Sequence, residues 1–159
     1  MNAFVNYQKR SIELPPGCKD LIDVLRLGRD TETELGGPVK NLADLGGYLS
    51  RFVSSPAAYR SLWIHDHAIS LLGLFCGKHG LRAVVLVDAS REQAVRAVFA
   101  RAGLTPTQDD LLQNMARGLQ FALDSFSGIE DLIRELLTGG FGVTHNSPLD
   151  FRLHEKNAA

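Results

Sequence analysis

The clearest pattern of hydrophobic and polar positions lies between Leu81 and Gly103. Leu81–Val87 is a short apolar run rich in β-branched residues, which is typical of a well-buried, central strand. Ser90 and Gln93 then have the spacing of a capping box. An apolar stripe at helical spacing follows, formed by Ala94, Val95, Val98, Phe99 and Ala102. The pattern predicts a strand, a tight turn and an amphipathic helix that packs back on the sheet and ends at Gly103.

Two further strands are predicted before this unit. Residues 59–76 fit a single helix poorly, because polar residues and Gly73 would interrupt the apolar stripe. The alternative is a pair of strands with a turn at His65–His67. The glycine-flanked residues 77–80 then resemble a second hairpin loop that leads into the strand at 81–87. We therefore expect three consecutive antiparallel strands.

Helices are predicted before these strands and near the end of the chain. Asn41 is a candidate N-cap of the earlier helix. Gly46 and Gly47 should weaken that helix unless a neighbour packs closely against them. Ser127 and Glu130 form a second capping box before the last helix. The last helix has the most regular apolar stripe in the chain, formed by Ile129, Leu132, Ile133, Leu136 and Leu137.

Weaker patterns surround the last helix. Residues 105–113 are a weak strand candidate. Residues 119–123 are a better one, because Leu119 and Phe121 alternate with Gln120 as in a strand with one apolar and one polar face. Alternation at 149–153 predicts a short strand or a docked tail.

The first 28 residues form a separate arm. Phe4–Leu14 is predicted as a short edge strand or an extended segment. The prolines that follow suit a helix start, and the helix extends to about Leu27. One face of this helix is apolar and carries Cys18, Leu21, Ile22 and Leu25. Residues 29–40 have no periodicity and are predicted to be a surface loop.

Composition narrows the class of protein. The chain has 159 residues, which predicts one domain comprising the arm (1–28), an α+β core (41–140) and a tail (141–159). A net charge of −1 argues against general nucleic-acid binding. No apolar run reaches the length of a membrane span, and no signal core follows the N-terminus, so we expect a cytoplasmic protein. Two cysteines make a disulfide framework improbable.

The sharpest chemical candidate is the sequence His65-Asp66-His67. In a strand, His65 and His67 would lie on one side and could bind zinc or a similar metal. A metal site needs further ligands, for which Cys76 and His79 are the nearest candidates in sequence. The alternative is a polar turn between two strands. Cys76 ends an apolar run and is more typical of a small buried hydrophobe than of a reactive thiol.

In chain order the predicted elements are β-α-α-β-β-β-α-β-β-α, an α+β fold with an antiparallel sheet. Over residues 41–140 this order resembles the type III secretion chaperone-like fold. No family motif matches residue by residue, so the resemblance carries over no functional residues. It implies a small cytoplasmic dimer that binds other proteins on its sheet or helices.

Two functions from different classes follow. The first is a non-enzymatic protein-binding, regulatory or chaperone-like domain, with a protein partner or a second copy and without a cofactor, nucleic acid or membrane. The alternative is a small metal-dependent enzyme that uses the cluster at 65–67.

Overall fold

The computed structural model describes residues 40–65, 71–78, 80–111 and 117–156. The predicted strand and helix of the arm lie outside these residues, as do Asp66, His67 and His79. The described part has the predicted α+β architecture, in which helices pack on a six-stranded antiparallel sheet.

The sheet confirms the predicted run of three strands. Its order is β4-β5-β3-β2-β1-β6, and neighbouring strands are antiparallel throughout. The strands are β1 Tyr59–His65, β2 Leu71–Gly77, β3 Gly80–Val87, β4 Gln108–Leu111, β5 Arg117–Leu123 and β6 Asp150–Lys156. Strand β3 lies between β2 and β5, as its continuous apolar pattern predicts for a central strand.

Strand β6 extends the predicted order, which stopped at the last helix. It pairs with β1 along its whole length, with Phe151 opposite Ile64. Phe151 is 7% exposed and stacks on the ring of Tyr48, with 4.6 Å between the ring centroids. Of the two alternatives for this segment, the strand is confirmed, because burying Phe151 beside Ile64 aligns the two strands in register.

The helices lie together on one side of the sheet, called the helix face here. A 3₁₀ turn at Leu42–Asp44 leads into α1 (Leu45–Ser54), and α2 is Glu92–Arg101. Helix α3 (Ile129–Glu135) continues into a π-helical turn at Leu136–Gly140. All three contribute buried residues to one apolar core with the inward side chains of the strands. None of the described helices is long and apolar enough to cross a membrane.

Asn41 is a cap, as predicted. Its Oδ1 accepts a hydrogen bond from the N–H of Ala43 at 2.9 Å, and Asp44 Oδ2 accepts one from the N–H of Asn41 at 2.9 Å. These bonds satisfy backbone donors that the first helical turn leaves without partners. They therefore start the 3₁₀ turn that precedes α1.

The two predicted capping boxes at Ser90 and Ser127 are wrong. Ser90 Oγ donates to Asp88 Oδ1 at 2.7 Å, and α2 begins two residues later without a side-chain cap. The same carboxylate accepts the N–H of Arg91 at 3.1 Å, and the Ser90 hydroxyl is the main cause of the lowered pKa of Asp88. Helix α3 also lacks a side-chain cap and starts after Gly128, whose φ is +73°.

Arg60 fixes the end of α1 to the sheet. Its Nε donates to the carbonyl of Phe52 at 2.6 Å, and Nη2 donates to that of Val53 at 3.4 Å. The guanidinium lies over the rings of Phe52 and Phe126, at 5.6 and 5.5 Å from their centroids. Arg60 thus satisfies the last helical carbonyls and adds cation–π contacts.

Helix α2 is joined to the β4 edge by alternating charges. Arg96 bonds to Glu92 at 2.9 Å and to Asp109 at 2.6 Å, and Asp109 also accepts from Arg117 at 3.0 Å. Asp109 lies on β4 and Arg117 on β5. The network therefore ties the short edge strand to the helix above it.

Candidate functional site

The face of the sheet opposite the helices is called the helix-free face here. Leu62 and Ile64 belong to the core on the helix face, so the alternating side chains of Ser61 and Trp63 point to the other side. Among the described residues, no helix packs on this face. By register it carries Ser61, Trp63, Gly73, Phe75, Arg82, Val84, Leu86, Gln108, Gln120, Arg152 and His154.

The centre of the helix-free face is shielded from solvent. Trp63 and Val84 are 0% exposed, Phe75 is 4% exposed and Leu86 is 5% exposed. Neighbouring strands alone leave the outer surface of such large side chains in contact with water. The large apolar side chains of this face are therefore buried, as are those of the helix face.

Trp63 occupies the centre of this face because Gly73 lies opposite it on β2. A Cβ atom at Gly73 would lie 2.8 Å from Cη2 of the indole and would overlap two further ring atoms. The ring therefore packs directly on the glycine backbone. Its Nε1 donates to Ser61 Oγ at 3.0 Å, which satisfies the polar end of the indole inside the layer.

Gln120 is the unusual residue of the helix-free face. It is 0% exposed and pairs across the strands with Val84 on one side and Gln108 on the other. Its backbone carbonyl accepts the N–H of Thr107 at 2.7 Å. Neither Oε1 nor Nε2 of its side chain has a hydrogen-bond partner among the described residues. A buried polar group left in this state costs about 1–3 kcal/mol.

Charged residues line the β6 margin of the face. Arg152 Nη2 donates to Asp150 Oδ2 at 2.8 Å, and His65 Nε2 lies 3.4 Å from the same oxygen. Burial, followed by the positive charge of Arg152, lowers the pKa of His154. The neutral form of the His154 imidazole is therefore favoured here, next to the Arg152 guanidinium that is paired with Asp150.

Only part of the predicted metal site lies within the described residues. His65 ends β1, and the nearby carboxylate of Asp150 is shared with Arg152. His67 lies outside the described residues. Within the described ranges, no three His, Cys, Asp or Glu side chains come together as a metal site. A cavity of about 10 Å³ beside His65 has room for one water molecule rather than a substrate. The metal hypothesis stays a prediction.

Of the two further candidate ligands, His79 lies outside the described residues, and only Cys76 can be placed. Cys76 is half-buried and packs against the apolar core on the helix face. This placement matches its interpretation as a small hydrophobe.

Sequence reasoning missed the two most informative positions, Gln120 and Arg152. Gln120 alternates with apolar residues, which normally indicates a solvated face.

Comparison of the chain with protein-family models, curated proteins and solved structures finds no match.

Gly73→Ala should strongly destabilise the protein, because the new methyl group would overlap the Trp63 ring. Overpacking of this kind costs roughly 1–3 kcal/mol. Gly47→Ala is the matched control, since an added Cβ there meets nothing within 4 Å. On α1 it should stabilise by about 0.5–1 kcal/mol. Urea denaturation measures both variants. Equal stability of Gly73→Ala and wild type would refute the packing of Trp63 on Gly73.

Acidification should weaken the protein through His154. Its pKa in the folded protein lies below the ordinary 6.5, so the unfolded chain binds more protons between the two values. The free energy of unfolding therefore falls as the pH drops through 6.5. His154→Gln should make this fall shallower in denaturant titrations between pH 7.5 and roughly pH 5. His145→Gln, at an exposed loop position, should keep the wild-type slope. An unchanged slope in His154→Gln would contradict the assignment.

Proposed function

We propose that this protein is a non-enzymatic protein-binding domain, with a regulatory or chaperone-like role, which holds a polypeptide segment across its helix-free face. The observation that carries the proposal is Gln120, fully buried on β5, one strand in from the edge of that face, with an amide that no described residue pairs. A permanent core rarely keeps such a group. A docking face can keep a buried unpaired amide, because a bound ligand supplies the hydrogen bonds that the amide lacks.

A polypeptide is the ligand that fits this chemistry. A backbone amide offers one N–H and one C=O, which complement Oε1 and Nε2 of a glutamine. On the same face, Val84 lies beside Gln120, and Trp63 lies three strands away on β1, so the surroundings of the glutamine are largely apolar. Trp is also a residue type that dominates the binding energy of protein interfaces.

The resemblance of the element order to the type III secretion chaperone-like fold supports the same class of function. It implies a small cytoplasmic dimer, so the bound segment belongs either to a partner protein or to a second copy of this chain. The near-zero net charge argues against nucleic acid as the partner.

The alternative function is a metal-dependent enzyme built on His65, Asp66 and His67. It is favoured by the Asp150 oxygen 3.4 Å from His65 Nε2, because a carboxylate commonly orients a histidine that binds metal through its other nitrogen. Metal analysis of the purified protein separates the two functions. Stoichiometric zinc that is lost in His65→Ala would support the enzyme.

The protein-binding proposal is tested with random twelve-residue peptides displayed on phage and selected on the full chain. Selected peptides should change the fluorescence of Trp63, which is the only tryptophan in the sequence. Gln120→Leu should weaken them roughly 5- to 150-fold, since the lost hydrogen bonds are worth about 1–3 kcal/mol. Its own stability should equal or exceed that of wild type, because an unpaired buried amide is removed.

The matched control is Gln93→Leu, the same substitution at an exposed position on α2. It should bind the peptides as wild type does. Equal affinity of Gln120→Leu and wild type, or peptides that bind without changing Trp63 fluorescence, would move the binding site away from the helix-free face.

A further inference from the structure

We propose that the outer edge of β4 is a second docking surface, which takes an extended basic segment of a partner protein as an additional strand of the sheet. This surface consists of the outward backbone groups of β4 and the side chains of Asp110 and Leu111. It is distinct from the binding proposed for the helix-free face, because it involves neither Gln120 nor Trp63.

Strand β4 ends the sheet. Within the described part of the chain it pairs with β5 alone, from Gln108 opposite Gln120 to Leu111 opposite Arg117. In an antiparallel pair only alternate residues bond to the neighbouring strand. Two of the four residues of β4 therefore turn their N–H and C=O groups to the open side. An extended peptide can pair with such groups and lengthen the sheet by one strand.

Ion pairs hold this edge in place on its inner side. Asp109 Oδ2 accepts from Arg96 at 2.6 Å, and Asp109 Oδ1 accepts from Arg117 at 3.0 Å. Both arginines also pair with Glu92, at 2.9 and 3.3 Å. The network fixes β4 to α2 and β5 and leaves the outer edge open. A strand that is already ordered binds a partner at a smaller entropic cost.

Leu111 supplies an apolar contact at the end of the edge. It is 49% exposed and is the only large hydrophobic side chain with such exposure among the described residues. Single exposed apolar residues are ordinary on protein surfaces, but this one belongs to an edge strand. A side chain directly opposite on an added strand would lie about 4.5–5.5 Å away between Cβ atoms. The edge therefore favours an apolar, β-branched residue at that position.

Asp110 supplies a charge on the other side of the strand, because successive side chains of a strand point to opposite faces. No ion pair joins Asp110 to another described residue, in contrast to its neighbour Asp109. A lysine or arginine opposite Asp110 on the added strand would form the opposite-charge pair that stabilises neighbouring strands. The preferred segment thus alternates apolar and basic residues.

The same charges disfavour a second copy as the occupant. Antiparallel pairing of β4 with itself about its centre would place Asp109 of each copy opposite Asp110 of the other. Like charges directly opposite each other are destabilising. Charged edge strands protect a sheet from associating with its own copies in this way. The acidic edge therefore repels another β4 and attracts a basic strand.

The probe is a fluorescein-labelled eight-residue peptide, capped at both ends, in which valine and lysine alternate. Its fluorescence anisotropy should saturate when the full chain is titrated in, and saturation should slow amide hydrogen exchange at residues 108–111. Trp63 fluorescence should not change, because β1 lies four strands from β4. A counterpart with glutamate in place of lysine should bind about 5-fold more weakly or worse. A scrambled peptide with its lysines grouped together should also bind more weakly.

Variants locate the site. Asp110→Lys should reverse the preference, so that the glutamate peptide binds more tightly than the lysine peptide. Leu111→Lys should weaken the lysine peptide, because it removes the apolar contact and adds a like charge. Ala100→Lys is the matched control, since it adds the same charge at an exposed position on α2 and should bind as wild type does. Circular dichroism confirms that each variant is folded.

Several results would overturn the proposal. They are the absence of binding at millimolar peptide, equal affinity for the scrambled peptide, and an unchanged preference in folded Asp110→Lys. Protection of residues 108–111 that grows with protein concentration in the absence of peptide would assign the edge to a second copy and would also overturn it.

The edge and the helix-free face fail separately. Gln120→Leu should bind the valine–lysine peptide as wild type does, and a loss of binding there would move the site to the helix-free face and refute the edge. If the phage-selected peptides are indifferent to Gln120→Leu while the valine–lysine peptide depends on Asp110, the proposed function is refuted and the edge site stands.

Discussion

The architecture depends on the requirement that both faces of the central strands be buried. On β3, Val85 faces the helices and Val84 faces away, and both are 0% exposed. Helices α1, α2 and α3 cover the first face. The second face is closed by the Trp63 ring packed on Gly73, a contact that brings β1 and β2 together without a gap. Burial of this second face matters as much as burial of the first, because an exposed apolar sheet of this width would associate non-specifically.

The helix-free face differs from the helix face in its polar content. The helix face is closed by aliphatic and aromatic packing, exemplified by Phe99 stacked on Phe121 at 3.5 Å between centroids. The helix-free face instead contains Gln120 on β5 and, at its other edge, Arg152 with His154. An unpaired buried amide lowers the stability of a permanent core, whereas a bound segment that pairs the amide gains selectivity from it. The proposed binding function follows from this difference.

Local patterns predicted most of the fold, and they failed where distant residues decide the outcome. The continuous apolar run of β3 already indicated two buried faces. The alternation around Gln120 predicts a solvated face, but alternation distinguishes the two faces of a strand without telling whether the polar one is buried. Ser90 has the spacing of a cap for α2, but its hydroxyl donates to the nearby Asp88 carboxylate instead. The contact between His65 and Asp150 joins residues far apart in sequence, so no local pattern predicts it.

The central claim is that the helix-free face is buried in the native protein, and hydroxyl-radical footprinting of the full chain tests it most directly. Mass spectrometry compares oxidation of Trp63 and Phe75 in native buffer and in urea. Leu111, which is 49% exposed, serves as the internal reference. The account predicts strong native protection of both aromatic residues and little protection of Leu111. Oxidation of Trp63 at the same rate in native buffer and in urea would contradict it.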